Sequence, residues 1–219
     1  MRRIIDLSFP IYEGMRTFPS YWHPKVEIRQ LGRHRVEKRE SRKVVLGTHT
    51  GTHVDAASHF IPGGRSVDQI PLSTLVGEAT VVDLSHGGDS REISAADLKK
   101  ALKGRKARRL VVRTGWSSHW KRSDYYSGYP YFSTAAIRWL LRRGLKLLAL
   151  DTPSPDNPQH KRGSRLDSPN HKILLGSGVV LVEYLCNLEQ VRANAIEFIA
   201  LPLRIRNADG APARCIAVE

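Results

Sequence analysis

Apolar positions along this chain fall in short runs separated by turn residues. Residues 79–84, 110–114, 147–151 and 179–183 are near-continuous apolar stretches. That is the pattern of strands covered on both faces. Residues 26–31 and 43–48 carry β-branched side chains in alternation with polar ones, which predicts two further strands. Residues 196–201 and 214–218 close the strand set, with Asn207-Ala-Asp-Gly210 as the turn between them. Helical periodicity is confined to three places. Ser94-Ala-Ala-Asp97 is a capping-box-like start for a helix reaching about Leu102, with Gly104 beyond it. Ser133 opens a helix over 134–143, where Ile137, Leu140 and Leu141 share one face and Gly144 is the stop. A third, shorter helix is predicted over 169–175.

Strands alternate with helices only in part, and both terminal thirds are strand-rich. The pattern predicts a mixed α/β domain with a curved, barrel-like sheet and flanking helices, not a doubly wound fold. There is no G-x-G-x-x-G and no Walker sequence, so nothing points to a nucleotide cofactor. Residues 151–170 are Pro- and charge-rich (Asp-Thr-Pro-Ser-Pro-Asp-Asn-Pro at their start) and read as a long ordered loop, a common place for function.

Composition narrows the class. At 219 residues, 41% of them hydrophobic, the chain is expected to be one globular domain, 1–219, with a full core. No apolar stretch nears the roughly 20 residues of a membrane span. Asp6, Ser8 and Pro10 interrupt the N-terminal run before it can form a signal-peptide core. Cys186 and Cys215 stand alone in apolar surroundings and read as buried thiols of a cytoplasmic protein. The formal net charge of +14 raises a nucleic-acid or other polyanion partner as a rival. The basic residues lie in separate stretches, 33–43, 99–109, 142–146 and 161–165, without interleaved aromatics. That distribution favours a solvated basic surface over a nucleic-acid interface.

The candidate chemistry is concentrated in His49-Thr-Gly-Thr-His53-Val-Asp55-Ala-Ala-Ser-His59, three histidines and an aspartate within eleven residues. These residue types bind divalent metals and move protons near neutral pH. His49, Gly51, His53, Asp55 and, if extension persists, His59 share one parity, so a strand would aim them at one face. The Thr, Gly and Val between them argue for a strand and against a helix. Two imidazoles and a carboxylate suit Zn, Mn or Fe and leave coordination positions open, as catalytic sites do. Further ligands must come from elsewhere. His171 opens the short third helix, and Glu183 ends an apolar strand, where a charge is costly unless paired or metal-bound. Together they could complete a second metal site with Asp55 bridging. The alternatives are an ordinary helix-start histidine and an exposed strand-end glutamate.

The run His49 to Phe60 resembles the H-x-G-T-H-x-D-x-P-x-H-F signature of the cyclase family, which holds bacterial kynurenine formamidases and isatin hydrolases. The resemblance continues through Ile61-Pro-Gly-Gly-Arg65-Ser-Val-Asp68-Gln-Ile-Pro71, Arg113-Thr-Gly-Trp116, Leu150-Asp-Thr-Pro-Ser154 and Leu201-Pro-Leu-Arg204. It extends to the family's His and, twelve residues on, Glu, matched by His171 and Glu183. It implies the swivelling β/β/α fold of kynurenine formamidase and a homodimer. It also implies two divalent ions, zinc with manganese as the alternative. His49, His53 and Asp55 would hold one ion, and Asp55, His171 and Glu183 the other. His59 would be the acid/base. One departure is Ala57, where the family has a proline that fixes the backbone before the histidine.

Those parts describe hydrolysis of a non-peptide carbon–nitrogen bond in a small molecule. The substrate would be an aryl formamide such as N-formylkynurenine, a step of tryptophan catabolism, or a related cyclic amide. Metal-activated water would attack the carbonyl while His59 exchanges protons. A metal-dependent cyclase or dehydratase of a secondary metabolite uses the same parts. Trp22 in the Pro-flanked N-terminal loop, Phe60 and Trp116 are the candidate aromatic walls of a substrate pocket.

Overall fold

The computed structural model describes residues 2–219. In chain order its elements are β1 (Ile4–Asp6), β2 (Glu27–Gly32), β3 (Ser41–Val45), β4 (His53–Asp55), α1 (Leu72–Leu75), β5 (Val76–Asp83), β6 (Glu92–Ile93) and α2 (Ala95–Leu102). They continue with β7 (Arg109–Arg113), β8 (Tyr131–Phe132), α3 (Thr134–Arg142), β9 (Leu147–Leu150), α4 (Pro169–Gly176), β10 (Val180–Glu183), β11 (Ala195–Pro202) and β12 (Gly210–Val218). The main sheet runs β1-β12-β11-β5-β7-β9-β10-β4, and β4 pairs back onto β12. That pairing closes seven strands into the barrel-like sheet the sequence predicts. The β5–β7–β9–β10 stretch is parallel, and its crossovers carry α2, α3 and α4; the remaining pairs are antiparallel.

The continuous apolar runs follow from this closure. Val111, Ala149 and Val182 point into the barrel, against Phe198 and Cys215. Their neighbours Leu110, Val112, Leu148 and Leu181 point outward under the helices, against Leu98, Ile137, Leu140 and Leu174. Both faces are dry, so no polar alternation survives in β7, β9 or β10. The helices start where the sequence places them. Ser94 and Asp97 form a reciprocal capping box on α2, and the Ser133 hydroxyl accepts the Ala136 N–H to cap α3.

Some elements differ from expectation. Strands β2 and β3 form a separate two-stranded antiparallel hairpin and take no part in the barrel. Strand β12 begins at Gly210, not at 214, because its Gly-Ala-Pro-Ala start pairs with β4 despite poor strand propensity. Part of the positive charge is structural. Arg105 donates to the carbonyls of Leu102, Ala101, Val81 and Asn194, tying the end of α2 to the sheet. Arg109 donates to the Thr74 and Ser73 carbonyls of α1. Cys186 and Cys215 are free, buried thiols. Among the described residues, no helix is long and apolar enough to cross a membrane.

Candidate metal centre

The histidine run folds less simply than its parity suggests. Extension lasts only through His53, Val54 and Asp55. Gly51, at φ +60, bends the chain just before the strand, a conformation that suits glycine. His49 therefore arrives from a turn. His59 arrives from the 3-10 turn Ala57–His59, which starts where the Ala56 N–H bonds the Asp209 carbonyl. The expected shared strand face thus holds for His53 and Asp55 alone. In the ladder His53 lies opposite Glu183, and Asp55 opposite Leu181 and Gly210. Just after Glu183, Tyr184 is held at φ +56, its N–H on the Thr152 carbonyl and its own carbonyl on the Thr52 hydroxyl. A bulky residue in that region costs on the order of 1–3 kcal/mol.

Asp55 is the hub. Its Oδ1 lies 2.7 Å from His49 Nδ1 and 3.1 Å from His53 Nε2, and its Oδ2 lies 3.5 Å from His171 Nε2. Glu183 places Oε1 3.3 Å from His171 Nε2 and Oε2 3.5 Å from His53 Nε2. Two groups of ligand atoms could each hold a metal ion, His53–Asp55–Glu183 and His49–Asp55–His59, with all atoms of a group within 4.8 Å. Asp55 belongs to both, and His171 stands against Asp55 and Glu183. His49 and His59 rings are 3.9 Å apart, centroid to centroid.

The donor set fits a divalent ion. His53 Nδ1–H donates to the Gly51 carbonyl at 2.8 Å, so Nε2 faces inward as a lone pair. His171 Nδ1 is likewise engaged behind the ring, 2.6 Å from Asp156 Oδ2. Such backing partners are the usual support of metal-ligating imidazoles. His53 Nε2, Asp55 Oδ2 and Glu183 Oε1 are all buried without a hydrogen-bond partner. Each orphaned atom costs about 1–3 kcal/mol, which coordination to divalent cations would offset. Imidazole and carboxylate together suit zinc or manganese.

Charge is concentrated here. Burial works against ionising Asp55, but the facing His49 and His53 hold it well below the usual carboxylate range. Burial also opposes charge on His49, yet Asp55 and Asp209 push it up to about 10. His171 is raised well above an ordinary imidazole, with Asp156, Asp55 and Glu183 outweighing its burial. Glu183 is raised by burial first and by the negative charge of Asp55 second.

Two carboxylates that sequence reasoning missed complete the surroundings. Asp156, 5% exposed in the long loop, accepts the N–H groups of Asn170 and His171 as well as meeting the His171 ring. It thereby caps α4, whose own Ser168 makes no capping bond. Asp209 lies in the predicted turn before β12, with Oδ2 2.7 Å from His49 Nε2 and 3.0 Å from His59 Nδ1. The aromatic candidates separate. The Phe60 ring is 4.6 Å from His59 and 4.8 Å from His171. Trp22 is exposed beside Tyr21 under Arg162, and neighbouring His23 bonds the His49 carbonyl at 3.1 Å. Trp116 departs from expectation. It is 1% exposed among Tyr125, Tyr129 and Tyr184, and its indole N–H bonds the Tyr125 carbonyl. It packs the aromatic cluster and offers no face to a pocket.

The model of the Cyclase family matches residues 5–157. A kynurenine formamidase of Bacillus thuringiensis (strain Al Hakam) is 31% identical over 97% of this chain and 95% of its own. Isatin hydrolase A from Labrenzia aggregata, solved with benzyl benzoate, superposes with a TM-score of 0.87 at 28% identity, covering 99% of this chain and 93% of that one. A solved structure described as a potential metal-dependent hydrolase with cyclase activity gives 0.79 at 26% identity, covering 100% and 98%. With the family model matching most of its length and a relative aligned nearly end to end, the chain belongs to the Cyclase family.

Proposed function

We propose that this protein is a metal-dependent hydrolase of a carbon–nitrogen amide bond in a small molecule. Its substrate is an aryl formamide such as N-formylkynurenine, or a related cyclic amide. The observation that carries this reading is the set of three buried, unpartnered atoms, His53 Nε2, Asp55 Oδ2 and Glu183 Oε1, near the partly exposed His59. His49, His53 and Asp55 would hold one ion, and Asp55, His171 and Glu183 a second; zinc is the first candidate and manganese the alternative. A bound divalent ion supplies Lewis acidity, polarising the amide carbonyl and bringing water nearer to ionisation.

The chain's own residues do the rest. His59 is partly exposed, so its ring reaches both water and substrate. It takes the proton of the attacking water as the C–O bond forms and gives it to the nitrogen as the C–N bond breaks. Phe60 walls the site beside His59 and His171. Trp22, on the loop tied to His49, supplies a stacking surface for a planar aryl group. The formamidase and isatin hydrolase relatives support an aryl amide over an aliphatic one. Residues 1–219 would act as one catalytic domain, paired as a homodimer. Exposed Leu31 and Val44 on the β2–β3 hairpin suit burial against a second copy, which sedimentation would reveal.

The decisive experiment is metal analysis of the purified protein, followed by turnover of N-formylkynurenine, isatin and simple aryl formamides with and without chelator. About two divalent ions per chain and chelator-sensitive hydrolysis are expected. His59→Ala should keep the metal and lose turnover by about 100-fold or more. Full turnover in that variant would remove His59 from the reaction.

A further inference from the structure

We propose that Asp209 is the positioning residue for His59: its carboxylate fixes the ring with the proton on Nδ1 and leaves Nε2 to exchange protons at the reacting centre. The inference rests on the acid/base reading of His59 above. Asp209 Oδ2 lies 3.0 Å from His59 Nδ1. A carboxylate in its ionised form only accepts hydrogen bonds, so Nδ1 must donate. The same oxygen lies 2.7 Å from His49 Nε2, so two ring nitrogens converge on this one carboxylate.

The same logic recurs on the other side of the site. His53 has Gly51 behind Nδ1, and His171 has Asp156. In each the rear nitrogen is engaged and Nε2 faces inward. His59 with Asp209 follows this plan, but at the open side of the site. Its side chain is 28% exposed and that of Asp209 38%, against 1% for His53 and 7% for both His171 and Asp156. An acid/base must meet water and a departing product, so the exposed member of the set is the one suited to it.

The position of Asp209 is fixed without its side chain. Its carbonyl accepts the Ala56 N–H at 2.9 Å, the Ala208 carbonyl accepts the Val67 N–H at 2.8 Å, and Gly210 is in register with Asp55. The Asn207 N–H is anchored on Asp68 Oδ1 at 3.0 Å. Removing the carboxylate charge therefore leaves the turn in place, and Asp209→Asn tests the side chain alone.

The test uses zinc-loaded protein, which is diamagnetic. Nitrogen-15 spectra of the histidine rings, with His59 assigned by His59→Gln, report which nitrogen carries the proton in the neutral ring. Wild type should show His59 as the Nδ1–H form. Asp209→Asn can present its NH2 to Nδ1, and Asp209→Ala presents nothing. Both should move His59 to the Nε2–H form. Both should lower kcat by about 100-fold at saturating zinc with KM unchanged, the loss expected when an acid/base is held in the wrong tautomer; zinc affinity is measured alongside, because the same carboxylate oxygen also lies 2.7 Å from His49 Nε2. Two results would overturn the inference: an unaltered His59 tautomer in both variants, or an unaltered kcat in the zinc-saturated variants. If wild type hydrolyses no amide, or His59→Gln turns over normally, the proposed function fails instead. The ring spectra still decide whether Asp209 sets the tautomer.

Discussion

Asp156 joins the fold to the candidate metal centre, and Asp156→Asn exposes both roles. Its carboxylate lies 2.6 Å from the Asn170 N–H donor, 3.2 Å from that of His171 and 2.6 Å from His171 Nδ1. All of this happens in a nearly closed environment. Asparagine keeps the volume but has one acceptor oxygen and no charge, so at least one buried donor loses its partner. Charge-assisted bonds contribute about 1.5–3 kcal/mol each, and an orphaned donor costs a similar amount. The oxygen that remains recovers part of this, leaving a net loss of about 2–3 kcal/mol. For a chain of this size that lowers the melting temperature by about 5–10 °C. The His171 ring also loses its rear support, and metal affinity should fall by about 10–100-fold. Calorimetry at saturating metal measures the first effect, and competition with a chromophoric chelator measures the second. A variant that melts within about 1 °C of wild type with unchanged affinity would refute the reasoning. Lost stability with wild-type affinity would leave Asp156 as a helix cap and nothing more.

Other outcomes follow from specific contacts. A Cβ on Gly210 would sit 2.8 Å from His49 Cε1 and 2.8 Å from the Val54 carbonyl. Gly210→Ala should therefore displace His49, cost about 1–3 kcal/mol in denaturant unfolding and weaken metal binding. His49 is held up to about 10 and His171 above its ordinary value, so protons compete with a cation for their nitrogens below those values. Apparent metal affinity should fall by about tenfold per pH unit for each proton displaced as pH is lowered; calorimetric titration in buffers of different ionisation heat counts those protons, and a flat affinity between about pH 6 and 8 would contradict it. Trp22→Ala should raise KM for aryl formamides with stability and metal content intact. Trp116→Ala should instead lose about 3–5 kcal/mol in an unfolding titration, as a buried packing residue does.

The fold was legible where one cause dominates. Strands β7, β9 and β10 read as continuous apolar runs because barrel interior and helices cover opposite faces. Helices α2 and α3 read from Ser94 and Ser133, whose caps act within four residues of themselves. What could not be read depends on pairing at long range. Glycine, alanine and proline at the start of β12 have no strand preference of their own, and they become strand because β4 needs partners on both edges. The independence of the β2–β3 hairpin is equally silent, since its alternation is the same whether or not a third strand lies beside it.

The site divides along the same line. His49, His53, Asp55 and His59 were found because they sit together in sequence, although their shared parity was the wrong reason for His49 and His59. They converge through a turn at Gly51 and a 3-10 turn, not along one strand. Asp156 and Asp209 lie in loops already noticed, one for its prolines and one for its glycine, and neither stands near another ligand in sequence. What marks them is that each backs a histidine that faces inward, and only the closed barrel brings β4, the 151–170 loop and the turn before β12 to one end. A loop aspartate should therefore be weighed by which histidine it can reach once the sheet closes. By that criterion the 151–170 loop and the β11–β12 turn serve the site as directly as the histidine run does, because Asp156 and Asp209 engage the Nδ1 atoms of His171 and His59.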